Sequence, residues 1–142
     1  MKVRNLFLKN YVAVVVTVVI VAAFINIIGF RQEFIIENHQ DISNLFGVVF
    51  IHNFLIALFM YALNKRAKYI LFLNSLILGF QVGSSTQLTV LLPVLLYGWL
   101  EFGTFVYIAT LGEAGIRVKV DLVFILLMMS ALIEAIVGKG GV

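Results

Sequence analysis

Five stretches of the chain are nearly free of polar side chains, and short polar or glycine-bearing segments separate them. The hydrocarbon core of a bilayer is about 30 Å thick, so a crossing helix needs about 20 apolar residues at about 1.5 Å each. The first stretch, YVAVVVTVVIVAAFINIIGF over residues 11–30, has that length and carries no charge. It follows the basic segment MKVRNLFLKN as a signal anchor would; it is too long for a cleaved signal peptide, and no small-x-small site follows it. The second stretch covers 45–63 and stops at NKRAK. The third, 69–83, is short and ends in the turn-like cluster GSSTQ; we read it as a crossing because the charges downstream then fall on consistent sides. The fourth covers 92–111, with Pro93 expected in its first turn, where the missing N–H costs nothing. The fifth covers 122–137 and ends in GKGGV. The pattern predicts one all-α membrane domain of five spans, without internal repeat or separate soluble part. The polar segment 31–44, with Ile35, Ile42 and Phe46 at roughly helical spacing, fits a helix on the membrane surface and an ordinary loop equally.

Composition agrees. Of the 142 residues, 63% are hydrophobic and 12% charged, with a mean hydropathy of +1.12. A soluble domain is about 45–50% apolar and about 25% charged. There is no cysteine, which removes disulfides, thiolate metal sites and thiol catalysis. The net charge of +3 acquires its meaning from topology. With the N-terminus inside, Lys2, Arg4, Lys9, Lys65, Arg66, Lys68, Arg117 and Lys119 face the cytoplasm, and only Arg31 and Lys139 lie outside. That bias sets an N-in, C-out orientation in the cell membrane. The basic groups are few and split between three segments, so they suit lipid headgroups rather than nucleic acid.

Polar groups inside the spans are the candidate chemistry. Counted at about 1.5 Å per residue from the outer face, His52 and Asn53 lie at about 9–11 Å, Glu101 at about 13 Å and Glu134 at about 6 Å. Gln81 enters the same outer half from the third span. A carboxylate in hydrocarbon costs roughly 2.5 to 3.5 kcal/mol on insertion scales, so such groups face the bundle interior and pair. The expected cluster is therefore Glu101, His52, Asn53, Gln81 and Glu134. Within it a His–Glu ion pair and a neutral Glu101 are both open. Each residue also has a plain structural use: His52 as a satisfied bundle histidine, Glu134 as an acid snorkelling to water, Asn74 and Gln81 as hydrogen-bonding glue between helices. Gly79-x-x-x-Gly83 permits close helix approach, and Gly98 and Asn74 are further candidate packing positions. One histidine and two glutamates scattered over three helices lack metal-ligand spacing, and no cofactor motif is present.

LPVLLYGWLEFGTFVYIATLGEAGI, residues 92–116, resembles the multi-pass membrane family named for stage II sporulation protein M. That family has a proline, then His-Gly-x-x-Glu, then a small-residue-rich helix ending near Ala-Gly; here Gly98, Glu101 and Ala114-Gly115 match. HNFLIALFMYAL, with His52 and Asn53, is similar to the family's paired polar residues, and NSLILG, 74–79, to its Asn-Gly-x-x-x-Gly stretch. The resemblance covers roughly 46–116. Tyr97 stands where the family has His, Pro93 lies four residues before it, and Ser75 replaces the first glycine of NSLILG. The resemblance carries over Gly98, Glu101, Asn53 and Asn74 as family-pattern positions, and His52 and Tyr97 only loosely. It implies a membrane scaffold, since the namesake resembles the scaffold of a wall-remodelling machine in spore engulfment; no activity transfers.

Two functions follow as expectations. One is a non-enzymatic scaffold or assembly subunit that binds lipids, other membrane proteins and copies of itself. The alternative is a small oligomeric proton- or cation-linked transporter or channel with Glu101 at its site. An enzyme is not expected, because Ser84 and Ser85 lie in a turn without an evident base. Glu101 and Glu134, about 7 Å apart in estimated depth, do not suggest an acid/base pair.

Overall fold

The computed structural model describes residues 2–31, 42–85 and 88–139, with side chains described for all of these except 88–97 and 138–139. Among them every regular element is helical: α1 (Lys2–Ile28), α2 (Ile42–Leu63), α3 (Ala67–Ser84), α4 (Leu88–Ala114) and α5 (Val120–Lys139), with a 3-10 turn at Asn64–Arg66. The segment read as a surface helix or loop lies mostly outside the described residues; its last residues, from Ile42, open α2.

Helix ends follow local chemistry. No proline or glycine interrupts 2–28, so α1 runs through the basic segment and stops where Gly29 takes φ +75°. At about 1.5 Å per residue its 27 residues span about 40 Å. A left-handed glycine also closes α4: Gly115 has φ +70°, its N–H bonds the Gly112 carbonyl, and the Ile116 N–H bonds that of Leu111. Those two bonds form a Schellman cap and satisfy carbonyls that would otherwise be orphaned. Asn64, at φ 49°, breaks the run between α2 and α3; asparagine tolerates that conformation better than other non-glycine residues. Two boundaries differ from expectation. The third helix has 18 residues, about 27 Å, rather than the shorter run read from sequence. The fourth starts at Leu88, so Pro93 lies in its second turn and forgoes a bond that the first turn would not have needed.

Among the described residues, three stretches are long and apolar enough to cross a membrane: Lys2–Ile28, Ile42–Ser84 and Val120–Val137. The middle one, at 43 residues, exceeds twice the length of one crossing and is divided by the Asn64 turn. Along the helices the described outer surface is mostly apolar, with Val19, Phe24, Ile27, Leu55, Phe72 and Ile136 all exposed. Such a surface belongs against lipid rather than water.

The order of contacts gives relative directions. On α3, Gly79 faces Val18 and Val21 of α1, while Gly83 faces Ala22 and Ile25. Both numbers climb together, so α1 and α3 run parallel. Asn53 on α2 meets Glu101 on α4, and Asn64 meets Gly112. The two contacts are equally spaced on each chain segment, so α2 and α4 run parallel too. α4 and α5, joined by residues 115–119 and packed together, form a hairpin. α4 touches all four other helices, and its buried Phe105, Val106, Ile108 and Ala109 form the centre of the core. Around them lie Val14, Ala57, Met60, Ala67, Leu71, Val123 and Leu127, at least one from each remaining helix.

Candidate functional site

The polar centre of the bundle forms where α2, α4 and α5 meet. Asn53 and Glu101 each lie halfway along their helices, so the parallel packing brings them to one level. A side-chain hydrogen bond joins them. Asn53 is buried and Glu101 half-buried. The amide donates and the carboxyl accepts, which uses the one strong acceptor that α4 carries at this depth.

Glu134 completes the group from α5, within electrostatic reach of Glu101. Cβ vectors tilt toward a helix's own N-terminus, so the two side chains lean along opposite directions of the hairpin.

The remaining predicted members lie elsewhere. His52 is exposed on the outside of α2, about 100° around the helix from Asn53. Gln81 is exposed near the end of α3. Neither has a described contact with the group at Glu101. Of the packing positions, Gly79 and Gly83 form the contact with α1: a Cβ at Gly79 would stand 2.7 Å from Val21 Cβ, and one at Gly83 2.6 Å from the Ala22 carbonyl oxygen. Gly98 is buried, yet nothing stands within 4 Å of where its Cβ would be. The Nδ2 of Asn74 is buried and makes no hydrogen bond. No three His, Cys, Asp or Glu residues converge as a metal site among the described residues.

A second polar contact escaped the sequence reading. The Asn10 amide donates to the Thr110 hydroxyl at 3.2 Å and to Glu113 at 3.4 Å, tying the start of α1 to the end of α4. Thr110 and Glu113 are three apart and share a helix face, which was the available signal. Hydroxyls elsewhere in the bundle turn back on their own helices: Ser75 donates to the Leu71 carbonyl and Thr104 to that of Leu100. Such back-bonding satisfies a hydroxyl without a partner helix.

Aromatic packing joins two of these helices, α2 and α5. Phe46, Phe50 and Phe54 stack along α2, and Phe124 of α5 meets Phe50 and Phe54 edge-on at 5.2 and 5.8 Å. Edge-to-face geometry suits the ring quadrupoles.

No protein-family model matches the chain, and neither does any curated protein or solved structure. The site must speak through its own geometry. It ties α2 to α4 through one carboxyl–amide bond, and it brings a second carboxyl, Glu134 of α5, within electrostatic reach.

Proposed function

We propose that the protein crosses the cell membrane five times, N-in and C-out, and serves as a non-enzymatic scaffold or assembly subunit of a membrane complex. The observation that carries the reading is the use made of Glu101. The costliest group in the spans is bonded to Asn53, so it joins α2 to α4, with Glu134 of α5 within electrostatic reach. His52 and Gln81, which would extend it into a pathway, face outward instead.

Five crossings are supported by the parallel pairs α1/α3 and α2/α4, the arrangement that alternating passes produce. Orientation is supported by exposed Lys65, Arg66 and Lys68 at the α2–α3 turn and exposed Arg117 and Lys119 between α4 and α5. Asn64 meets Gly112, which places these two basic segments at the same end of the bundle. The resemblance in motif order to the stage II sporulation protein M family agrees with a scaffold in kind.

The test is affinity purification from native membranes in mild detergent, with mass spectrometry and an oligomer mass on the same sample. The expected result is one or more other membrane proteins in stoichiometric amount. Their absence would contradict the scaffold.

A second reading has its own observation. Two carboxyls within electrostatic reach at mid-bundle can also hold a proton or a cation between them, as in a small oligomeric transporter or channel. Under that reading Glu101→Gln abolishes ion flux in vesicles while leaving assembly intact; under the scaffold reading it changes neither.

A further inference from the structure

We infer that two copies of the protein associate in the membrane through the outward face of α2, with His52 of each copy meeting across a two-fold axis. The inference rests on the membrane-spanning reading above and deepens it by naming the surface of self-association.

Val48, His52, Leu55, Phe59 and Ala62 are all exposed, the three large apolar ones at 66%, 58% and 58%. Their spacing alternates four and three residues, which is the a/d seam of a left-handed coiled coil, the commonest packing of membrane helices. The opposite face of the same helix is spent inside the bundle, on buried Asn53, Ala57 and Met60. α2 thus has one finished face and one open seam.

His52 selects the occupant of that seam. It stands halfway along α2, about 15 Å from either end, too far for an imidazole to reach water. It forms no hydrogen bond with any described residue. Left against lipid tails, both ring nitrogens would go unmatched. A neutral imidazole carries one donor and one acceptor, so it is complementary to a second imidazole. Copies inserted with the same orientation place their α2 helices parallel, and a two-fold axis along the membrane normal pairs each seam position with itself. A lone polar residue at such a position fixes register and oligomer number in coiled coils. A different protein would need its own polar group at the same depth; a second copy brings it by symmetry.

The chain has no cysteine, so single cysteines report cleanly. Val48→Cys, Leu55→Cys and Ala62→Cys test the seam, while Ile77→Cys on α3 and Leu132→Cys on α5 are exposed controls. Oxidation in native membranes should give disulfide-linked homodimers at the three seam positions, several-fold above the controls. In the cysteine-free protein, His52→Leu should raise the dimer dissociation constant roughly three- to thirtyfold, the range of an interhelical hydrogen bond. Equal or absent cross-linking at all five positions overturns the inference. So do cross-links at the seam to another protein only, or a His52→Leu dimer as tight as the original. A monomer that still co-purifies stoichiometric partners would remove the seam and leave the scaffold; a cross-linked dimer without partners would do the reverse.

Discussion

The α1–α3 contact and the α2–α4–α5 junction solve one problem in two ways. Helices in lipid gain little from burying apolar surface, because the tails they leave are as apolar as the partner they join. At α1–α3 the solution is proximity: Gly79 and Gly83 bring the α1 backbone so near that a Cβ would stand 3.0 and 2.6 Å from its nearest atom. Dispersion then accumulates along two parallel helices. At the other junction the solution is polar: Asn53 and Glu101 bond beside a cluster of phenylalanines, with Glu134 within electrostatic reach. The first contact fails when something is added, the second when something is removed.

Substitutions separate the two modes. Gly83→Leu should do most harm, about 3 kcal/mol or more, because the obstruction is the backbone of Ala22, which cannot rotate away. Unfolding of the purified protein by a denaturing detergent, followed by circular dichroism, measures it. Glu101→Leu comes next, at about 1–3 kcal/mol, since it leaves the Asn53 amide buried without its acceptor; Glu101→Gln should cost under about 1 kcal/mol in the same assay. Gly79→Ala follows at about 1–2 kcal/mol, less than the same change at Gly83, because the nearest atoms at Gly79 include the Val21 side chain. Gly47→Ala and Gly103→Ala should be neutral or stabilise by up to about 1 kcal/mol, since a Cβ at either position meets nothing within 4 Å and alanine favours the helix. A uniform penalty across all four glycines would show that helix propensity, not close approach, governs the first contact.

Much of the fold was legible in the chain because run length alone marks a helix in lipid. The stops at Gly29, Asn64 and Gly115 follow from residues that tolerate positive φ. Residue counting along the runs also put Asn53 and Glu101 in one broad layer, and a hydrogen bond joins the two. Rotation about the helix axis was not legible. A soluble helix shows its inner face by amphipathicity, but a membrane helix is apolar on both its protein and its lipid sides. Adjacent His52 and Asn53 therefore read as equals, although one is exposed and the other buried. The Asn10 contact was missed because Asn10 borders the apolar run instead of interrupting it.

The central claim is that Glu101 is held by Asn53 to join helices. A double-mutant cycle on Asn53→Leu and Glu101→Leu, read by detergent unfolding, tests it most directly. The account predicts a coupling of roughly 0.6–2 kcal/mol, with Glu101→Gln retaining most of it. Independent, additive losses would contradict it and leave Glu101 without a structural partner on α2.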